Sequence, residues 1–143
     1  MQITRKTDYA IRCVYYLAAN PTAVTMIGEI ASRMDIPNSF LAKIAQKLAQ
    51  AGIVRSHRGA NGGFTLAKAP SDISLFDIMV LMEGPVALNM CAVRTKECEL
   101  SGTCSIHPFW VQLRRGIEEK LKAQRFDSLQ LAPALVAARG FGD

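Results

Sequence analysis

The chain has 143 residues, half of them apolar, and a formal net charge of +5 at pH 7. This length suits one domain with its own hydrophobic core and a small additional segment. No run of residues approaches the roughly 18 consecutive apolar positions of a membrane-spanning helix. Asp8 and Arg12 interrupt the first apolar segment, so we expect a cytoplasmic protein without a signal peptide and without membrane contact.

The positive charge lies in one half of the chain. Residues 1–70 carry nine Lys and Arg against three Asp and Glu, whereas residues 71–143 carry eight against nine. An excess of cationic side chains favours contact with a polyanion such as a nucleic acid. Charge alone does not decide this, because many soluble domains are mildly basic.

Two helices are predicted at the start of the chain. Apolar residues at three- and four-residue steps indicate a first helix with Thr7 as its N-cap, ending before Pro21. Cys13 lies on its inner stripe and is expected to be a small buried apolar residue rather than a ligand. A shorter second helix is predicted from an N-cap at Thr25 to Met34.

A third helix and a hairpin follow. The helix is predicted to begin at an N-cap, Asn38 or Ser39, and to end at Gly52. Two short β-prone segments, within residues 53–68, then flank a glycine-rich loop and predict a β-hairpin with a basic tip.

Two helices joined by a turn and followed by such a hairpin are typical of a winged helix-turn-helix domain. The second helix of the pair enters the major groove, and the hairpin, or wing, contacts a phosphate or the minor groove. We therefore expect a mainly α fold with a small β-hairpin wing, and a DNA-binding domain over residues 1–84. The candidate DNA contacts are Asn38, Ser39, Lys43, Gln46 and Lys47 on the helix, and Arg55, His57, Arg58 and Asn61 on the wing.

The second half contains two more predicted helices. One begins near Ser74 and ends at Gly84. The other belongs to a segment over residues 106–143, which ends in a C-terminal tail. An unusually bulky apolar stripe on this long helix predicts packing across a two-fold axis in a homodimer, and the alternative is packing against its own chain. The expected interface residues are Ile106, Trp110, Leu113, Ile117 and Leu121.

Between these helices, residues 85–105 carry three of the four cysteines. Cys91, Cys98 and Cys104 follow the spacing C-x6-C-x5-C, which is wider than the C-x2-C turn of a zinc ribbon. Wider spacing suits an iron-sulfur cluster, whose separate iron atoms are each reached by one thiolate, with a different fourth ligand. A zinc site and three reduced thiols without a metal are the alternatives. No nucleophile-base pair or phosphate-binding loop indicates an enzyme.

The residues also resemble a known family. The segments MQITRKTDYAIRCVYYLA and SFLAKIAQKLAQAGIVRSHRGANGGFTLAK, the cysteine triplet and the long helix after it are similar to the Rrf family of bacterial transcription regulators, the group that includes IscR, NsrR and RirA. The wing pattern R-G-x-N-G-G-[FY] and the triplet are its most specific parts. The resemblance implies a homodimeric winged-helix regulator, expected to be a repressor, that binds a double-stranded DNA operator. It also implies that an iron-sulfur cluster sensing nitric oxide, iron or redox state controls that binding.

The resemblance leaves two candidates for the fourth ligand. His107 follows Cys104 in the arrangement of IscR-like members, which hold a two-iron cluster, whereas Asp8 matches the position from which NsrR-like members supply a carboxylate to the partner subunit's four-iron cluster. The N-terminal and wing segments are closer to the NsrR-like branch, which favours a 4Fe-4S over a 2Fe-2S cluster. A thiol-based or zinc-containing DNA-binding regulator and an iron-sulfur carrier module are the alternative functions.

Overall fold

The computed structural model describes residues 2–129 of the chain. The C-terminal tail, from residue 130 onward, lies outside the described residues. The described part contains five α-helices and one antiparallel hairpin, in the order α1 (Arg5–Ala18), α2 (Ile27–Met34), α3 (Asn38–Gln50), β1 (Val54–His57), β2 (Gly63–Leu66), α4 (Leu75–Glu83) and α5 (His107–Ala123). This is the mainly helical fold with a two-stranded wing that the sequence predicts.

The first helix begins earlier than predicted. Thr4 is the N-cap of α1, and its hydroxyl accepts a hydrogen bond from the Thr7 amide at 3.4 Å. The prediction that Thr7 is the N-cap was therefore wrong, since Thr7 lies fully buried in the first turn. The predicted burial of Cys13 is confirmed, at 1% exposure.

The second helix begins later than predicted, at Ile27, with Met26 in the N-cap position. Thr25 is not a cap. Its backbone instead pairs with Phe64 of β2, through hydrogen bonds of 3.0 and 2.9 Å, so that the segment before α2 is joined to the hairpin. The turn before α3 passes through Asp35, whose φ of 52° is left-handed, a conformation that a short polar side chain tolerates.

The hairpin pairs Val54 with Leu66 and His57 with Gly63. Its consecutive glycines are required by close backbone approaches: a Cβ at Gly63 would collide with the Thr25 carbonyl, and one at Gly62 would lie 2.5 Å from the His57 carbonyl oxygen. The wing pattern in the sequence thus reflects steric demand as well as turn chemistry.

The core is formed mainly where α1, α2 and α3 pack together behind the hairpin. Side chains with 3% exposure or less form its centre, among them Val14, Tyr16, Leu17, Ile30, Leu41, Ile44, Leu48, Ile73, Ile78 and Phe126. At the predicted start of α4, Ser74 is the N-cap in a reciprocal capping box with Asp77.

After α5 the chain returns to the N-terminal half, residues 1–84. The Leu75 amide donates to the Gln124 carbonyl at 3.0 Å, and the Phe126 amide donates to the Ile73 carbonyl at 3.1 Å. The Phe126 side chain is 1% exposed and belongs to the core. Both ends of the segment between α4 and Phe126 are thereby fixed to the same domain. None of the helices in the described part of the chain has the length and apolar composition needed to cross a membrane.

Candidate DNA-binding surface and cysteine site

The outer face of α3 carries the residues predicted to enter the major groove. The inner face is buried through Leu41, Ile44, Ala45 and Leu48, and this orients the opposite side of the helix outward. All five candidate groove residues are exposed, namely Asn38, Ser39, Lys43, Gln46 and Lys47. They present amide, hydroxyl and ammonium groups, which can donate hydrogen bonds to base edges and phosphates.

A cleft of about 530 Å³ lies beside this face, between α1, α3 and the end of α4. Three lysines line it, Lys6 of α1 and Lys43 and Lys47 of α3, over an apolar floor that includes Phe40 and Met82. No salt bridge among the described residues involves any of the three lysines. Lys47 also interacts electrostatically with the Glu83 carboxylate. Three ammonium groups around one cleft give it a positive potential, which attracts anions.

Lys6 was not among the sequence-based candidates. The periodicity of α1 identified it as a core helix, and only the packing of α1 beside α3 places this lysine next to the exposed face. The signal available in the sequence was the run of cations Arg5 and Lys6 just after the N-cap.

The wing presents Arg55, Arg58 and Asn61 as exposed residues. His57 is half-buried instead, with its Nε2 3.0 Å from the Thr65 hydroxyl of the facing strand. The geometry therefore gives His57 a role in holding the hairpin together, while the two arginines are free to contact a ligand outside the protein.

Glu83, at the end of α4, holds the beginning of α1. Its carboxylate accepts hydrogen bonds from the Thr4 amide and the Thr4 hydroxyl, both at 2.7 Å, and from the Thr7 hydroxyl. The Thr7 hydroxyl above all, and then the Thr4 donors, lower the pKa of Glu83. The ionised carboxylate also stabilises the positive end of the α1 dipole.

The cysteine segment, residues 85–105, is built from short turns. Cys91 lies in a 3₁₀ turn over Met90–Ala92, and Cys98 follows a second one over Thr95–Glu97. Cys91, Cys98 and Cys104 are all half-buried and unpaired as disulfides. Within residues 2–129 no three His, Cys, Asp or Glu side chains are arranged to hold a metal ion. The three thiols thus share one segment without converging on a point.

His107 is the first residue of α5 and lies close to this segment. Its amide donates to the Cys104 carbonyl at 3.2 Å. Its Nδ1 is a buried side-chain atom without a hydrogen-bond partner. A buried polar atom is normally paired, and a neutral imidazole nitrogen is also a metal ligand, so His107 fits the role of a fourth ligand in its chemistry.

Asp8 lies on α1 and already has a partner in its own chain. Its carboxylate forms a salt bridge of 2.7 Å with Arg12, whose guanidinium also donates to the Met34 carbonyl at 3.1 Å. Asp8 is 41% exposed, so it remains accessible to a second chain. Burial raises the pKa of the remaining thiol, Cys13, to about 12, and so keeps it protonated and unsuited to metal binding.

The donor set fits an iron-sulfur cluster in its chemistry. Three accessible thiols provide soft ligands, and either the unpaired nitrogen of His107 or the carboxylate of Asp8 provides a different fourth ligand. Binding would require the segment to move so that its sulfurs converge.

A three-helix core with one exposed recognition helix and an adjoining two-stranded wing defines a winged-helix DNA-binding protein. The family model described as "Rrf2: Iron-dependent Transcriptional regulator" matches residues 3–131. The chain therefore belongs to the Rrf2 family of transcriptional regulators, as the resemblance in the sequence implied. A family of regulators also agrees with the prediction that the chain is not an enzyme.

Individual relatives and solved structures agree with this assignment. The HTH-type transcriptional regulator NsrR of Geobacillus kaustophilus is 34% identical over 125 residues, which are 86% of this chain and 80% of the relative. The structure of T. potens IscR is 25% identical with a TM-score of 0.72 and covers 96% of each chain. CymR, the global cysteine regulator of B. subtilis, is 26% identical with a TM-score of 0.71, over 90% of this chain and 95% of that one.

Proposed function

We propose that this transcriptional regulator binds operator DNA as a homodimer, and that an iron-sulfur cluster on Cys91, Cys98 and Cys104 controls its DNA affinity. The observation that carries the proposal is three unpaired, half-buried thiols in the segment that precedes α5, together with a histidine at the start of α5 whose buried Nδ1 lacks a partner. The family description, which names iron dependence, supports the same interpretation. A cluster in this place supplies a centre that reacts with oxidants and nitric oxide.

Two residues compete for the fourth ligand position. The unpaired Nδ1 supports His107 and with it a two-iron cluster. The likeness to NsrR relatives supports Asp8 and a four-iron cluster, in which case Asp8 would exchange its Arg12 partner for a site on the second subunit. Comparing Asp8→Ala with His107→Ala by Mössbauer spectroscopy distinguishes them, because only loss of the true ligand alters the iron environment.

The exposed side of α5 supports the homodimer. No residue of this helix is fully buried, and Phe109, Leu113 and Ile117 line a shallow cleft of about 340 Å³. Gly116 lies in the same cleft, and a Cβ built on it would have no described atom within 4 Å apart from its chain neighbours and the adjacent backbone of its own helix. A long apolar face with a glycine at its centre suits close packing against the same helix of a second copy.

The residues of the chain then connect the cysteine segment to DNA. Fixing residues 85–105 fixes the start of α5, and the end of α5 is hydrogen-bonded to residues 73–75 of the DNA-binding half. In a dimer, the position of α5 sets the distance between the two α3 helices. That distance must match half-sites about 34 Å apart, so a small displacement lowers operator affinity.

A regulator that uses its thiols without iron is the second candidate. It is favoured by the observation that the donor groups do not converge among the described residues. A regulator that holds zinc on these cysteines is the third candidate. All three share the DNA-binding surface and differ only in what the cysteine segment holds.

The experiment that tests the proposal begins with anaerobic reconstitution of the full chain with ferrous iron and sulfide. We expect the reconstituted protein to be coloured, with absorption in the visible range, and we expect Cys98→Ala to lose that absorption. We also expect a difference in gel-shift affinity between loaded and metal-free forms on the gene's own upstream DNA. A colourless protein with one zinc, or equal DNA affinity of the two forms, contradicts the proposal.

A further inference from the structure

One side chain of α5 reaches across to the cysteine segment. The Arg114 guanidinium donates from one terminal nitrogen to the carbonyl of Ala92, the residue directly after Cys91, at 2.8 Å. Its Nε donates to Glu118 at 2.7 Å, one turn further along the helix. Arg114 is 29% exposed, so this planar donor group is largely enclosed while it joins two elements.

Glu118 in turn has a second cationic partner besides Arg114. Its other carboxylate oxygen lies 3.4 Å from the Lys122 ammonium group, and Glu118 itself is only 16% exposed. The Lys122 ammonium group also lies 4.4 Å from the ring centre of Phe76 on α4. Arg114, Glu118 and Lys122 therefore form a row of alternating charges along α5, and the Lys122 end of this row contacts Phe76 of α4.

The three cysteines differ in what holds them. The Cys91 end of the segment is attached to α5 through Arg114, and Ala92 is 7% exposed. Around Cys98 and Cys104, by contrast, the hydrogen bonds among the described residues all join positions at most four apart. Such local bonds open more readily than a charge-assisted bond to a separate helix.

We propose that Arg114 is a positioning residue that holds Cys91 against α5 in the metal-free protein, so that Cys98 and Cys104 close onto a cofactor whose first thiolate is already placed. The attachment itself follows from the contacts of Arg114, whereas its use in cofactor binding rests on the function proposed above. Arg114 does not touch the cofactor in this scheme; it acts through the Ala92 backbone.

The test compares three variants with the unaltered chain. Arg114→Met removes the donors and keeps most of the apolar stem. Arg115→Met is the matched control, because Arg115 is an exposed neighbour with no hydrogen bond or salt bridge among the described residues. Arg114→Lys retains the charge but lacks the planar group that donates to two acceptors at once, so it should hold the segment in part. It also provides a test if the methionine variant fails to fold.

The first measurement is hydrogen exchange of the metal-free proteins, followed by mass spectrometry. We expect the amides of Ala92, Val93 and Arg94, which close the turn around Cys91, to exchange about ten-fold faster in Arg114→Met. Peptides containing Cys98 and Cys104, and every peptide of Arg115→Met, should exchange as in the unaltered chain. Equal exchange around Cys91 in Arg114→Met and the unaltered chain would refute the attachment.

The second measurement is the decay of visible absorption from reconstituted protein in the presence of an iron chelator. The absorption of Arg114→Met should decay several-fold faster, with Arg114→Lys in between. Faster exchange combined with an unchanged rate of cluster release would overturn the positioning role. If the unaltered chain takes up no iron and sulfide, the proposed function fails, while the exchange experiment still decides whether Arg114 holds the segment.

Discussion

Glu83 shows how much one side chain contributes to the arrangement of this molecule. A single carboxylate joins the end of α4 to the beginning of α1 by accepting three hydrogen bonds from Thr4 and Thr7. Both helices adjoin the lysine-lined cleft, so Glu83 also fixes Lys6 relative to α3. Because the bonds favour the ionised form, they lower the pKa of the carboxylate.

Replacing Glu83 with glutamine is expected to reduce stability in a pH-dependent manner. The folded-state pKa lies below the unfolded one, so the carboxylate stabilises the protein above the unfolded pKa, near 4.3. That stabilisation disappears as the pH falls through the lower folded-state pKa. We expect the free energy of unfolding to fall by about 0.5 kcal/mol at pH 7, a small value because the group is exposed.

Urea unfolding of Glu83→Gln at pH 7 and pH 3 measures this difference, with Glu99→Gln on the exposed cysteine segment as the control. The stability difference from the unaltered chain should be present at pH 7 and smaller at pH 3. A difference of the same size at both values would show that the charge of Glu83 plays no part.

At single positions the sequence predicted burial better than capping. The burial of Cys13 follows from its place in the apolar stripe, and this was recognised. Thr7 was predicted as the cap of α1, whereas Thr4 occupies that position, and both hydroxyls donate to Glu83, which lies 79 and 76 positions away. The same applies to Thr25, whose pairing with Phe64 depends on the completed hairpin. Local patterns contain no information about such distant partners.

Among the elements, α3 is the one whose exposed face we propose to contact DNA. Its apolar positions fix which side is buried, so the outward position of the candidate groove residues followed from the sequence. The contribution of α1 to this surface did not follow from the sequence. Lys6 joins Lys43 and Lys47 around one cleft only because two helices distant in sequence pack side by side.

We predict that Lys6 binds a DNA phosphate together with these two lysines. Changing Lys6 to glutamine removes one cationic group from each subunit's phosphate site, so it should weaken binding to operator and unrelated DNA alike. The slope of log affinity against log salt concentration should become shallower by about 1 for each phosphate that is no longer neutralised. Fluorescence anisotropy titrations at several salt concentrations measure both effects.

Lys68→Gln provides the control for the same change of charge. Lys68 lines a different cleft with Asp72 and Asp77, and its neighbours in that cleft are therefore carboxylates, whereas Lys6 shares its cleft with two other lysines. We expect its salt slope to match that of the unaltered chain. A Lys6→Gln slope that also matches would place the DNA backbone elsewhere.

At the scale of the whole molecule, the sequence predicted the order of parts but not how they are joined. The winged-helix half, the cysteine segment and the long helix were all recognised from periodicity, glycine spacing and cysteine spacing. The return of the chain to the core through Phe126, and the bond from Arg114 to Ala92, depend on contacts between distant segments. In the proposed function, these contacts link the cysteine segment to the DNA-binding surface.

The matching of two half-sites depends on assembly of the chain into a dimer. Ile117 lies on the exposed cleft of α5 beside Gly116, where its side chain is only partly covered by its own chain. A carboxylate at this position would be buried without a partner in a helix-to-helix interface, at a cost of several kcal/mol. Ile117→Glu should therefore give a folded monomer of 15.6 kDa, whereas we expect the unaltered chain to sediment at twice that mass.

Analytical ultracentrifugation distinguishes the two states, and far-ultraviolet circular dichroism confirms that the helices remain. Arg115→Glu introduces the same side chain two positions away, which is about 200° around the helix, and should leave the dimer intact. The monomer should also bind its operator far more weakly, because a single recognition helix binds one half-site alone. A dimeric Ile117→Glu protein would place the interface on another face, and the spacing of the two α3 helices would then be set by other residues than those of α5.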